Sequence, residues 1–135
     1  MVVPMGRVWK VGGATLVVAF ALTAAGQAPS LAQVRGGMWE VSGAPGTTQP
    51  IRQCLPDIRA LAQFEHRSQP CPRNITSESG PSATIQYNCG ARGFGSSKIT
   101  VVTPRSLRIE TQGIVDSLPF NYVIQARRLG DCRAH

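Results

Sequence analysis

Few side chains in this chain are suited to chemistry near neutral pH. There are two histidines, His66 and His135, and four cysteines, Cys54, Cys71, Cys89 and Cys132. A Ser-His-acid triad would draw on His66, a carboxylate such as the adjacent Glu65, and one serine. No serine stands in a Gly-x-Ser-x-Gly elbow, and His135 is the last residue. An ordinary loop histidine is therefore the preferred reading of His66, with a small hydrolase using it as the alternative. Glycoside cleavage would need two carboxyl groups on one cleft wall. Glu40, Glu78, Glu110 and Asp131 are available, but Glu110 alternates with Arg108 as on a solvated strand face. No catalytic residue and no cofactor is assigned.

The cysteines have two possible uses. A structural zinc site draws on close Cys-x-x-Cys pairs, and none occurs here, so no metal is expected. An even cysteine count in a small exported domain reads as disulfides instead. Four cysteines allow three pairings, and the stretch Cys71–Cys89 selects among them. Two β-leaning runs flank Ser79-Gly80-Pro81. Folding about that turn sets Cys71 opposite Cys89, Arg73 opposite Tyr87 and Ile75 opposite Ile85, all on one side by the period-two alternation of a strand. The expected bonds are Cys71–Cys89 and, with the remaining pair, Cys54–Cys132. Thiol catalysis is excluded if both form.

Export is read from the first residues. Arg7 and Lys10 precede an apolar stretch, Val11–Ala25, and Ser30-Leu31-Ala32 has small residues at the two positions a signal peptidase reads. The expected cleavage is after Ala32, with Gly26 as the alternative. The apolar run is shorter than the roughly 20 residues that span a bilayer. Residues 1–32 are thus read as a signal peptide and 33–135 as one domain. The protein is expected to be periplasmic or secreted, and not an integral membrane protein once cleaved.

Lys and Arg number 14 against 7 Asp and Glu. The basic residues are spread singly apart from Arg127-Arg128. They form no stripe interleaved with aromatics, so nucleic acid is not an expected partner. Gly90, Gly93 and Gly95 fit neither the Walker nor the dinucleotide spacing and are read as a flexible connection.

The elements that must position these residues are mainly strands. Met38–Val41 would place Trp39 and Val41 on one face, with Trp39 in the core. Ile51–Cys54 is extended, and Pro56–Phe64 is the one short helix, with Ile58, Leu61 and Ala62 sharing a face. The hairpin follows, then strands at Ile99–Thr103, Ser106–Gln112 and Phe120–Arg127. Clean alternation puts Leu107, Ile109 and Thr111 inward, and likewise Phe120, Tyr122, Ile124 and Ala126. The expected fold is mainly β: an antiparallel meander curled into a half-barrel or small sandwich.

Several motifs recur in order: Gly37-Met38-Trp39-Glu40-Val41, Cys54-Leu55-Pro56-Asp57, Cys71, Cys89, and Arg128-Leu129-Gly130-Asp131-Cys132. The ordered set resembles the exported bacterial family catalogued as domain of unknown function 3617, over nearly all of Gln33–Cys132. The resemblance implies a periplasmic or secreted bacterial protein and implies no activity. The region Gly90–Thr103 is shorter here than the family tends to carry. The expected function is a non-enzymatic binding or interaction module for an envelope protein or small ligand, with Trp39, Phe94 and Tyr122 as candidate anchors.

Overall fold

In the computed structural model, which describes residues 2–4, 6, 12–19 and 30–133, seven strands form one open antiparallel sheet. They are β1 (Gly37–Ser42), β2 (Ile51–Leu55), β3 (Arg73–Ser79), β4 (Ser82–Asn88), β5 (Gly93–Thr103), β6 (Ser106–Val115) and β7 (Leu118–Gly130). Their order across the sheet is β2-β1-β7-β6-β5-β4-β3. β3 to β7 is a meander, and the β1–β2 hairpin joins it on the far side of β7. The expected fold class holds.

One face of the sheet is covered by the helical segment Ile58–His66. On that face Trp39, Val41, Ile85, Ile99, Ile109 and Ile124 pack against Leu61, Ala62 and Phe64 to form the core. Trp39 is 0% exposed, and its indole Nε1 donates to the Arg35 carbonyl at 3.3 Å. The covered-face parities expected for β1, β6 and β7 are those observed.

Both disulfides form as expected, Cys71–Cys89 with Cα atoms 4.9 Å apart and Cys54–Cys132 at 5.6 Å. Arg73 lies opposite Tyr87 and Ile75 opposite Ile85, after which the register shifts. Ile75 is exposed while Ile85 is buried, because β3 is an edge strand.

Three details differ from expectation. The helical segment is a 3-10 helix starting at Ile58, so Pro56 precedes it and Asp57 is its cap, accepting from the Arg59 backbone N–H at 2.9 Å. Nine residues are too few for a self-sustaining α-helix, and the backbone breaks at Gln63. His66 closes this segment rather than lying in a loop after it. Finally, Gly93–Ser97 is not a flexible connection but the first half of β5, preceded by a short 3-10 turn at Gly90–Arg92.

The two ends of the motif set meet. The Arg128 guanidinium lies over Gly37, where a Cβ would come within 2.8 Å of it. Arg128 donates through Nε to the Gly36 carbonyl at 3.0 Å and through Nη2 to Asp131 at 2.6 Å. Gly37 thus lets β1 begin against the end of β7, while a Cβ on Gly36 would meet the carbonyls of Leu55 and Pro56 at the end of β2.

Of the expected signal segment, residues 1, 5, 7–11 and 20–29, which include Arg7, Lys10 and the alternative cleavage after Gly26, lie outside the described residues. So does His135. Ser30–Gln33 form a 3-10 turn, and Leu31 and Val34, each 8% exposed, belong to the core. Cleavage after Ala32 would remove Leu31 from it, whereas cleavage after Gly26 would leave it in place. Among the described residues no helix is long and apolar enough to cross a membrane.

Candidate functional site

Two groups of side chains meet at the same end of the sheet, one on each face. The group on the covered face is organised by the end of the Ile58–His66 segment. The Gln63 side chain donates to the carbonyls of His66 and Gln69 and accepts from Arg73 at 2.8 Å. This holds the break in the helix and turns Glu65 and His66 toward the sheet. Glu65 accepts from the Tyr122 hydroxyl at 2.6 Å. His66, 2% exposed, donates from Nε2 to the Arg92 carbonyl at 3.1 Å, which fixes its tautomer, since a carbonyl only accepts. Nδ1 then accepts a hydrogen bond from the Tyr87 hydroxyl at 2.9 Å.

The pKa shifts follow from this packing. Burial, reinforced by the nearby Glu65 charge, pushes the Tyr87 phenol up to about 12. Burial, with the hydrogen bond to Glu65, pushes Tyr122 up further. Both hydroxyls therefore stay protonated, as donors to fixed acceptors. His66 has neither a free ring nitrogen nor a serine among its partners, so general-base chemistry would require releasing the ring from both Tyr87 and Arg92.

The remaining candidates are dispersed. Glu40 is paired with Arg52 and Arg127, each at 3.3 Å, and Glu110 with Arg108 at 3.0 Å. The Arg128 guanidinium lowers the Asp131 pKa. No two of these carboxylates are brought together in a cleft. Among the described residues no cluster of three or more His, Cys, Asp or Glu side chains could hold a metal. The expected anchors separate as well: Trp39 is core, Tyr122 is tied to Glu65, and Phe94 is 54% exposed.

Phe94 leads to the second group. Register places Tyr87, Gly95, Gly113 and Phe120 in one row across β4 to β7. On the covered face the Tyr87 ring lies over Gly95 and the Phe120 ring over Gly113, where an added Cβ would meet them at 2.6 and 2.9 Å. The aromatic side chains fill the space two side chains would take, and they pack edge-on to His66, with ring centroids 5.3 and 6.1 Å away.

On the opposite, outer face the same strands line an open groove of about 840 Å³. Two rows run across it. One holds Asn74, Gln86, Ser96, Gln112 and Asn121, contributed in register by β3 to β7. The other holds Asn88, Phe94, Ile114 and Pro119, with Pro72 beside Asn88. Asn88 accepts from the Gly90 N–H at 2.8 Å. Among the described residues the five side chains of the first row have no hydrogen-bond partner within the protein. No charged residue lines the groove.

Only Phe94 of this groove was singled out by sequence. The amides are spread over nearly 50 residues of chain, and no short motif joins them. The signal that could have found them is the register of the hairpin continued through β5, which a strand reading of Gly93–Ser97 would have permitted. No family model, curated protein or solved structure matches this chain.

Proposed function

We propose that this chain is an exported bacterial envelope protein, of the kind gathered as domain of unknown function 3617, that acts as a non-enzymatic binding module through the outer groove. The observation that carries the reading is the groove's composition. A row of four unpartnered amides and one serine beside an exposed aromatic, with no charge, lies across β3 to β7, of which β4, β5 and β6 are paired on both sides. Free amide and hydroxyl groups converging on a concave, partly apolar surface are the usual makings of a ligand site. Two disulfides suit an oxidising compartment, and the motif set supports the envelope assignment. The alternative, a hydrolase using His66, would need the ring to leave both of its present partners.

The test is an NMR titration of the ¹⁵N-labelled protein with fractionated envelope extract. Shifts confined to the Gln86, Ser96 and Gln112 resonances, and lost in a groove-filling Ser96→Trp variant, are the expected result. Shifts centred elsewhere, or none from any fraction, would sink the reading.

A further inference from the structure

We infer that the groove takes a neutral, extended glycan of N-acetylated hexosamine units lying across the strands. The inference names the ligand class and rests on the groove being the binding surface.

The first argument is periodicity. Neighbouring strands are about 4.8 Å apart, so five strands present the row Asn74, Gln86, Ser96, Gln112, Asn121 over roughly 19 Å, one side chain per interval. That interval is close to the repeat of an extended β-1,4-linked pyranose chain. A chain laid across the strands would therefore meet one polar side chain at each sugar.

The second argument is chemistry. A primary amide donates through its NH₂ and accepts through its carbonyl. Sugar hydroxyls and acetamido groups do both as well, so each finds a partner of the same double character. The parallel row of Phe94, Ile114 and Pro119 offers apolar surface to acetyl methyls and to the C–H faces of the rings. The groove has no charge although the chain has twice as many basic as acidic residues. An anionic glycan would find its counter-charges elsewhere on the surface.

Other occupants fit less well. A peptide strand draws its main-chain hydrogen bonds from a sheet edge; the groove meets free edges only at its two ends, in β3 and the start of β7, while β4, β5 and β6 between them are paired on both sides. An acyl chain would bury the amides without partners, at a desolvation cost. No carboxylate stands in the lining, so the two-acid apparatus of glycoside cleavage is missing and the glycan is held rather than cut.

The experiment titrates the exported, disulfide-bonded protein with chitotetraose, cellotetraose and tetragalacturonate, reading side-chain amide resonances and affinity. Chitotetraose is expected to shift the groove resonances and to bind more tightly than the other two. Loss of one neutral hydrogen bond or one aromatic contact corresponds to roughly three- to tenfold in affinity, so Gln112→Ala and Phe94→Ala should each weaken binding by about that factor. Both side chains are exposed, and an unchanged spectrum elsewhere will show that each variant is folded. Cellotetraose binding as tightly as chitotetraose would overturn the acetamido assignment, and tighter tetragalacturonate binding would overturn neutrality. Either leaves the groove standing as the binding surface. If no saccharide binds while an envelope fraction still shifts the groove, the glycan inference falls alone. Saccharide shifts that map elsewhere and ignore both substitutions would remove the inference and the groove reading together.

Discussion

The Tyr87 ring lies directly over Gly95 on the neighbouring strand, and its hydroxyl is held by His66 Nδ1 at 2.9 Å. A side chain at position 95 would compete with a ring that cannot move without losing that bond. Gly95→Ala is therefore expected to destabilise the protein by about 1–3 kcal/mol, the usual range for overpacking. Denaturant melts of the variant alone and combined with Tyr87→Leu test this. A full cost that persists after the ring is shortened would show that Tyr87 is not its cause.

The chain has two tyrosines, Tyr87 and Tyr122, and both are shifted upward. Neutral phenols are favoured in the folded protein, so the stabilisation they give is complete below the ordinary phenol pKa of about 10. It is lost as pH rises from there through the folded value of Tyr87, about 12. An absorbance titration should show almost no tyrosinate at pH 10.5, roughly half a unit above that ordinary value. Adding denaturant at the same pH should release the signal of both residues. Native ionisation near pH 10 would contradict the burial of both rings and their closeness to Glu65.

Trp39 is fully buried. Trp39→Ala should cost about 3–5 kcal/mol, as for large core aromatics. A loss below about 1 kcal/mol, the scale of surface substitutions, would mean that the side chain is not in the core.

Peptide mapping without reductant should recover Cys71–Cys89 and Cys54–Cys132 with no free thiol. In the loop-closure account the 18-residue separation contributes about 3 kcal/mol and the 78-residue one about 4–5. Cys54→Ala with Cys132→Ala should therefore lower stability more than Cys71→Ala with Cys89→Ala, measured by chemical denaturation.

A signal peptidase acting on this chain is expected to leave Gln27 rather than Gln33 as the first residue, because Leu31 belongs to the core. Burying a leucine is worth about 1.5–3 kcal/mol, which cleavage after Ala32 would forfeit. Intact-mass measurement decides between the two. A start at Gln33 in a protein whose stability is unaffected by Leu31→Ala in the uncleaved form would show that this turn contributes nothing.

The hairpin, β6 and β7 were legible in the sequence because their apolar residues alternate and their turns are marked. Gly80 marks one turn, and Ile109 and Ile124 face inward where the period-two pattern puts them. Gly93–Ser97 was illegible for a physical reason. Glycine and serine have little strand preference of their own, and this half of β5 is extended because β4 and β6 pair with it on both sides. The groove failed to show for the same reason. Gln86, Gln112 and Asn121 read singly as ordinary solvent-facing positions, and only register assembles them. The covered-face cluster was half visible: His66 stood out by type, but nothing local announces Tyr87 and Arg92 as its partners.

The sheet order also bears on the sequence in which the molecule can be completed. On a chain growing from its N-terminus, β1 and β2 are made first, yet β1 pairs on its other side with β7, the last strand. Until β7 arrives, Trp39 and Val41 lack the strand beside which they are buried. Cys54 waits as long for Cys132, while Cys71 becomes available after only 17 residues. An early Cys54–Cys71 bond is thus the natural misstep of a nascent chain in an oxidising environment. The native pairing is reached if Cys71 pairs with Cys89 first, leaving Cys54 for Cys132, or if thiol–disulfide exchange later undoes the error.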